Sequence, residues 1–123
     1  MGYRILVVDD EKTIRDLIAF RLEFHGHQVE IAQNGTEALE KAHASVPELI
    51  VLDVMMPDLT GYEVCRKLKA DPKTEQIKII LLTAKGGATD EAEGISAGAD
   101  GFMSKPFRAN VLIAKIDELL DGR

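Results

Sequence analysis

Three aspartates, a threonine and a lysine directly follow or end short apolar segments of this 123-residue chain. Asp9 and Asp10 follow the first apolar run, Asp53 ends the third, Thr83 ends the fourth, and Lys105 follows the fifth. Carboxylates gathered at one place repel one another unless a proton or a cation joins them. Carboxylate oxygens are ligands that Mg²⁺ prefers, often together with phosphate oxygens. The pattern therefore predicts a magnesium site that handles a phosphoryl group.

Asp53 is the candidate nucleophile, because an aspartate can attack phosphorus and form an acyl phosphate. Lys105 and the metal would neutralise the phosphoryl oxygens, and Thr83 could donate a hydrogen bond to one of them. Each residue also has a purely structural interpretation. Asp9 and Asp10 could cap a helix, Asp53 could simply end a strand, Thr83 favours strands, and Lys105 could be a solvated surface side chain. Their joint placement after successive apolar runs favours the functional interpretation.

The chain alternates short apolar runs with amphipathic stretches, which favours an α/β fold. The predicted strands are Arg4–Val8, Gln28–Ala32, Leu49–Asp53, Lys78–Thr83 and Gly101–Ser104. The predicted helices are Thr13–Phe24, Thr36–Ala44, Tyr62–Ala70, Thr89–Ala97 and Ala109–Leu120. The first, third and fourth strands are almost wholly apolar, as is typical of central strands covered on both faces. Right-handed crossovers would then bring the polar residues after these strands to one edge of the sheet.

The outer helices have apolar faces at helical spacing, and we expect both faces to pack on the sheet. The face of the first predicted helix comprises Ile14, Leu17, Ile18 and Leu22, and that of the last comprises Leu112, Ile116, Leu119 and Leu120. Phe20 and Phe24 widen the first stripe, and additional core is the favoured interpretation of both rings. Cys65 is predicted to be a small core side chain.

The composition argues against several classes of protein. With 15 basic and 21 acidic residues, the net charge is -6, and there is no basic run, so direct nucleic-acid binding is disfavoured. Cys65 is the only cysteine and the chain reaches Arg4 too soon for a signal peptide, which favours a reducing, cytoplasmic location. The apolar runs are too short to cross a bilayer.

Four segments of the chain closely resemble the response-regulator receiver domain of the CheY-like kind. They are Val7-Val8-Asp9-Asp10-Glu11, Leu52-Asp53-Val54-Met55-Met56-Pro57-Asp58-Leu59-Thr60-Gly61, Leu82-Thr83-Ala84 and Ser104-Lys105-Pro106-Phe107, with the turn Gly98-Ala99-Asp100-Gly101 ahead of the fifth strand. The resemblance covers essentially the whole chain. It implies one receiver domain over residues 1–123, a flavodoxin-like, doubly wound (βα)5 fold with a five-stranded parallel sheet in the order 2-1-3-4-5.

The resemblance also implies a role for each site residue. Asp53 resembles the phosphoacceptor, and the implied Mg²⁺ ligands are the carboxylates of Asp9, Asp10 and Asp53 with the backbone carbonyl of Met55. Lys105 resembles the lysine that pairs with the phosphoryl group.

Two further residues resemble the moving parts of the switch. Thr83 resembles the hydroxyl that moves toward the phosphoryl group, and Phe102 occupies the position of a switch aromatic that is often Tyr. Pro106 is expected to follow a cis peptide bond. Phosphorylation would then bias a two-state equilibrium of the domain.

The implied function is that of a phosphorylation-dependent switch in a two-component system. A histidine kinase or a histidine phosphotransfer protein would donate the phosphoryl group, with Phe20 and Phe24 in a region that could dock it. The face formed by the fourth helix, fifth strand and fifth helix would act on a downstream protein or effector domain, and phosphorylation could drive dimerisation. The domain would assist its own phosphorylation and dephosphorylation and would not be an enzyme for another substrate.

Three alternative functions are each disfavoured by particular residues. A Mg²⁺-dependent phosphatase would carry a second acid two residues after its nucleophile, where this chain has Met55. A flavodoxin-like FMN protein would need a phosphate-binding loop, where this chain has Asp9-Asp10-Glu11. A receiver-shaped interaction domain that is never phosphorylated would not need the set Asp9, Asp10, Asp53, Thr83 and Lys105.

Overall fold

The computed structural model describes residues 2–84 and 88–122, without the side chains of residues 88–91. Strands and helices alternate along the described chain. The strands are β1 (Arg4–Val8), β2 (Gln28–Ala32), β3 (Leu49–Asp53), β4 (Lys78–Thr83) and β5 (Gly101–Ser104). The helices are α1 (Lys12–Phe24), α2 (Gly35–Ser45), α3 (Gly61–Ala70), α4 (Ala88–Ala97) and α5 (Ala109–Asp121). No helix in the described part of the chain is long and apolar enough to span a membrane.

The five strands form one parallel sheet in the order β2-β1-β3-β4-β5. The predicted fold class and strand order are therefore confirmed. All five strand bounds match those predicted from the sequence, and the helix bounds differ by at most one residue at either end, which is within the usual uncertainty of helix termini.

Alternate residues of the central strands point to opposite faces of the sheet, and each face has its own core. Leu6 and Val8 of β1 belong to the core under α2, α3 and α4, where Ala42, Val64 and Leu68 are buried. Ile5 and Val7 of the same strand face α1 and α5, where the buried residues are Ile18, Leu22, Leu112, Ile113 and Ile116. The two cores hold the central strands rigidly, so the residues at their ends have fixed positions.

Three apolar residues of α1 are exposed, contrary to the prediction that they would be buried. Leu17 was expected to pack on the sheet, but 57% of its surface is exposed. Phe20 and Phe24 were expected to extend the core, but they are 63% and 78% exposed. These residues have the spacing i, i+3, i+7 and form a second stripe beside buried Ile18 and Leu22. One face of the sheet can cover only one of the two stripes.

Candidate functional site

The site lies where β1 and β3, which are neighbours in the sheet, reach their carboxyl ends. Val8 pairs with Leu52 across these strands, so Asp9 and Asp53 come next on each strand and lie side by side. Carboxylate oxygens of Asp9, Asp10 and Asp53 lie within 4.8 Å of one another. Asp9 and Asp53 are buried and Asp10 is exposed. The structure thus brings the three predicted carboxylates together.

Lys105 enters this cluster from the segment after β5. Its Nζ lies 2.9 Å from Oδ2 of Asp9 and 3.2 Å from Oδ1 of Asp53. Burial acts to lower the pKa of Lys105, but the hydrogen bond to Asp9 and the charges of Asp53 and Asp9 outweigh it, and the pKa is raised. The Lys105–Pro106 peptide bond is cis, as predicted. A fixed cation therefore bridges two of the three carboxylates.

The charge of the cluster is not balanced by this one lysine. Burial, followed by the neighbouring charge of Asp9, raises the pKa of Asp53 from 3.8 to about 6, although Lys105 and the Met55 amide act in the opposite direction. An aspartate whose charged form is disfavoured in this way gains from a nearby cation. Three convergent oxygen donors without His or Cys fit a hard divalent ion such as Mg²⁺. The residues present could therefore hold the implied metal.

Thr83 lies at the end of β4 and is buried, but its hydroxyl is not bonded to the carboxylate cluster. Thr83 Oγ1 donates to the carbonyl of Met103 at 3.4 Å. A hydroxyl in a long bond of this kind is easily redirected, because little is lost when it takes another acceptor. The predicted movement of Thr83 toward a phosphoryl group would start from this position.

Phe102 is half-buried between β4 and α4. A Cβ built on Gly94 of α4 would lie only 2.1 Å from Cε1 of Phe102 and 3.1 Å from Cδ1 of Leu81. The ring therefore occupies space that only a glycine leaves free on this helix. Leu81 pairs with Phe102 and Thr83 with Ser104 across β4 and β5, so the two predicted switch residues lie on adjacent strands.

Two residues that sequence reasoning missed support the site from outside. Arg15 is 9% exposed, and its Nη1 donates to the main-chain carbonyl of Asp9 at 2.9 Å. Its signal in the sequence was a charge within the buried stripe of α1 that contains Ile18 and Leu22. Asp58, which follows Pro57, accepts hydrogen bonds from the first residues of α2. The sequence placed Asp58 in a motif but gave no sign of its distant partners.

The fold and the carboxylate cluster define a class: flavodoxin-like α/β domains with an acidic site at the carboxyl edge of the sheet. The family model of the response regulator receiver domain matches residues 5–117. Response regulator MprA of Mycobacterium tuberculosis is 42% identical over 120 residues, covering 98% of this chain and 51% of MprA. This chain thus spans about half the length of the curated relatives it matches.

Solved structures agree with this match. The chemotaxis protein CheY4 of Vibrio cholerae has a TM-score of 0.92 at 32% identity, covering 98% of this chain and all of that one (100%). The BeF₃-activated receiver domain of DrrB has a TM-score of 0.89 at 33% identity, covering 98% of this chain and 99% of that one. A longer structure of the response regulator DrrB, an OmpR/PhoB homologue of Thermotoga maritima, has a TM-score of 0.90 at 33% identity, covering 99% of this chain and 54% of that one.

The chain belongs to the response regulator receiver domain family. It is a CheY-like regulatory domain of the two-component system class, in which phosphorylation controls signalling.

Proposed function

We propose that Asp53 is the phosphoacceptor of this domain and that residues 1–123 form one receiver unit. The observation that carries the proposal is the position of Lys105, whose Nζ contacts both Asp9 and Asp53 within a cluster of three carboxylates. A carboxylate oxygen of Asp53 attacks the phosphorus of a phosphohistidine, forming an oxygen–phosphorus bond as the phosphorus–nitrogen bond breaks. The electron pair leaves with the imidazole, which takes up a proton.

Asp53 must be ionised to act as a nucleophile. With a pKa of about 6, its carboxylate form predominates at neutral pH and the proton is not held strongly. Lys105 Nζ, 3.2 Å from Oδ1, orients this carboxylate, and the Met55 amide acts to lower its pKa. Asp53 therefore combines burial, a fixed orientation and a usable charge.

The residues around Asp53 neutralise the negative charge of the incoming phosphoryl group. Asp9, Asp10, Asp53 and the carbonyl of Met55 would hold Mg²⁺, which when bound neutralises phosphoryl oxygens. Lys105 exchanges one carboxylate partner for a phosphoryl oxygen. Both oxygens of Asp9 are engaged, Oδ1 by the Glu11 amide at 2.9 Å and Oδ2 by Lys105 at 2.9 Å, so this carboxylate has a fixed orientation.

The switch is proposed to begin at Thr83 and to reach the surface through Phe102. The Thr83 hydroxyl leaves the carbonyl of Met103 and donates to a phosphoryl oxygen. Because β4 pairs with β5, this movement alters the packing of Phe102 on Gly94. Phe102 has no phenol, so the signal depends on how deeply its ring is buried. The face formed by α4, β5 and α5 is thereby altered.

The phosphodonor is proposed to be a histidine kinase or a phosphotransfer protein that docks on α1. Exposed Leu17, Phe20 and Phe24 form an apolar stripe there. A groove of about 470 Å³ beside it is lined by Leu17, Phe107 and Lys105, so it reaches the phosphorylation site. An apolar helix seated on α1 would bring its histidine toward Asp53.

The output is proposed to be control of a downstream protein or effector domain, with phosphorylation-dependent dimerisation as a possible means. Curated relatives are about twice as long as this chain, which supports an effector domain in such proteins. Direct nucleic-acid binding by this chain is not proposed, since its net charge is -6. A reducing, cytoplasmic location is part of the proposal and is supported by the single unpaired thiol of buried Cys65.

The test is intact mass after incubation with a small acyl-phosphate donor, with and without Mg²⁺, for the wild type and Asp53→Asn. We expect a gain of one phosphoryl group that needs Mg²⁺ and is lost in the variant. Asp100→Asn is the matched control, because Asp100 also pairs with a lysine but lies away from the site. No gain under conditions where calorimetry shows bound Mg²⁺ would favour an interaction module that is not phosphorylated.

A further inference from the structure

The loop between β3 and α3 directly follows the phosphoacceptor Asp53 in the chain. The Met55 amide is near enough to the Asp53 carboxylate to lower its pKa, and the Met55 carbonyl is the main-chain ligand in the proposed metal site. A small shift of this loop would therefore move a hydrogen-bond donor and a metal ligand together. The contacts that hold this loop in place therefore determine the positions of the Met55 amide and carbonyl relative to Asp53.

The loop packs on the core through Val54, Met56 and Leu59, but its other residues do not take part in this packing. Met55, Pro57, Asp58 and Thr60 are all exposed. The base of the loop is closed tightly, because the Gly61 amide donates to the carbonyl of Val54 at 2.9 Å and a Cβ on Gly61 would lie 2.6 Å from the carbonyl oxygen of Asp53. The middle of the loop needs another anchor.

Asp58 supplies that anchor through four hydrogen bonds to its carboxylate. Oδ1 accepts from the amides of Gly35 at 2.9 Å and Leu59 at 2.8 Å. Oδ2 accepts from the Thr36 amide at 2.9 Å and the Thr36 hydroxyl at 2.6 Å. The hydrogen bond from the Thr36 side chain, followed by those from the backbone amides of Gly35 and Thr36, holds the pKa of Asp58 far below its usual range. The carboxylate is therefore charged and fully engaged at neutral pH.

Two of these partners, the amides of Gly35 and Thr36, belong to the first turn of α2 and have no acceptor within the helix, so a carboxylate satisfies them well. They are also distant in sequence, because Gly35 and Asp58 are 23 positions apart. Beside this contact Leu59 packs on Gly35, where a Cβ would lie 2.7 Å from Cβ of Leu59. Hydrogen bonds and packing together attach the loop to α2. None of the proposed site residues lies in this helix.

We propose that Asp58 is a positioning residue for phosphorylation, which tethers the β3–α3 loop to α2 and so fixes the main chain of Met55 at Asp53 and the metal. Asp58 does not contact the reacting atoms. The effect of the tether on metal binding and phosphorylation rests on the proposed function. The tether itself can be measured without any metal or phosphodonor.

A matched control separates positioning from helix capping. Asn34 caps α2 by accepting from the Glu37 amide at 2.8 Å, and no described contact joins its side chain to the β3–α3 loop. Asn34→Ala thus weakens the same end of the same helix and leaves the tether in place. Asp58→Ala removes all four acceptor contacts, whereas Asp58→Asn keeps an oxygen that can accept from Gly35 and Leu59.

The first measurement is hydrogen exchange at the Met55 amide in metal-free protein. Asp58→Ala should remove much of its protection, Asp58→Asn should remove less, and Asn34→Ala should leave it unchanged although α2 is weakened. Equal protection of Met55 in the wild type and in folded Asp58→Ala would overturn the tether. Equal loss of protection in Asn34→Ala would also overturn it, because α2 stability alone would then explain the effect.

The second measurement is the Mg²⁺ dissociation constant by calorimetry, together with the phosphorylation rate at saturating Mg²⁺. Residues that support metal ligands typically change affinity or activity by about 10-fold or more. We expect about a 10-fold weaker Mg²⁺ affinity for Asp58→Ala, a partial recovery for Asp58→Asn, and less than about a twofold change for Asn34→Ala. Unchanged affinity and rate in Asp58→Ala would overturn the positioning role. A wild type that neither binds Mg²⁺ nor accepts a phosphoryl group would instead contradict the proposed function.

Discussion

Two lysine–aspartate clusters lie at opposite edges of the sheet, and they differ in how completely their charges are matched. At the amino-terminal edge, Lys69 donates to the carbonyls of Glu75 at 3.2 Å and Ile77 at 2.7 Å and to Oδ2 of Asp100 at 3.0 Å. These contacts use all three hydrogens of the ammonium group. Oδ2 of Asp100 also accepts the Ile79 amide at 2.8 Å. One positive and one negative charge are thus paired and fully bonded.

At the carboxyl-terminal edge, Lys105 must serve three carboxylates instead of one. The result is visible in Asp53, whose pKa is raised by burial and by Asp9 despite the nearby lysine. Three carboxylates face one lysine here, which leaves two negative charges unmatched. Burying unmatched charges destabilises a fold, so stability alone does not explain this cluster. The difference teaches that charges are paired at Lys69 and Asp100, where they stabilise the fold, and left in excess around Lys105, where the proposed function needs a cation and a phosphoryl group.

The largest expected effect is on the phosphorylation rate, when each of the two lysines is replaced by methionine. Lys105→Met should reduce the phosphorylation rate by about 100-fold, because it removes a fixed charge that neutralises the transferred group. Lys69→Met should leave the rate at saturating donor within about twofold, since Lys69 contacts no residue of the site. Initial rates of mass gain with an acyl-phosphate donor give both numbers. Similar losses in the two variants would remove the functional distinction between the clusters.

For the free energy of unfolding, we expect the larger loss in Lys69→Met. Lys69→Met should lower the free energy of unfolding by about 3 kcal/mol, because it leaves the Asp100 carboxylate and two carbonyls without their partner in a region that is only 20% to 23% exposed. Urea denaturation at pH 7 measures this change. Lys67→Met is the control, because Lys67 is an exposed residue of the same helix. A loss no larger than that of Lys67→Met would show that the Lys69 cluster is not a stabilising device.

The sequence indicated one of these clusters and not the other, for a physical reason. Asp9 follows and Asp53 ends a strand that is almost wholly apolar. Parallel pairing brings such strand ends together, so local pattern and topology were sufficient. Lys69 and Asp100 are 31 positions apart, and Lys69 resembles any solvated lysine of an amphipathic helix. The Asp58 tether was missed for the same reason. The exposure of Phe20 was missed because periodicity does not tell how wide a stripe the sheet can cover.

The pH dependence of the unfolding free energy should show that the charged form of Asp53 is unfavourable in the folded protein. In metal-free protein its folded pKa of about 6 lies above the ordinary 3.8, so the neutral carboxyl is favoured in the folded state. This contribution is fully present below about pH 4 and is lost as the pH rises through about 6, which should cost about 3 kcal/mol. The difference in unfolding free energy between wild type and Asp53→Asn, measured from pH 4 to pH 7.5 in a chelator, isolates this effect.

The direction of that change is diagnostic. Asp53→Asn should be more stable than the wild type at pH 7.5, and the gap should close toward pH 4. Adding Mg²⁺ should narrow the gap at pH 7.5 as well, since a bound cation removes the same repulsion. A wild type that is the more stable protein at neutral pH without metal would contradict the view that the Asp53 edge is strained.

The smallest expected effect concerns His43 of α2. Its Nδ1 lies 2.8 Å from the carbonyl of Leu39 and its Nε2 lies 2.9 Å from Oδ2 of Asp71. Only the charged imidazole can donate at both positions. The contact with the Leu39 carbonyl, followed by that with Asp71, raises the pKa of His43, although nearby Lys73 opposes this. His43 thus joins α2 to the end of α3 at the same side of the molecule as Lys69.

Because the folded pKa of His43 is raised, its contribution is fully present below the unfolded pKa of 6.5 and is lost as the pH rises through the folded value. Both side chains are about 40% exposed, so solvent screens the pair. We expect His43→Gln to lower the melting temperature by about 2 °C at pH 5.5 and by less at pH 8.5. His25→Gln, in the exposed turn after α1, is the control and should show no such trend. A loss in His43→Gln that is equal at both pH values would mean that packing, and not the charge, joins the two helices.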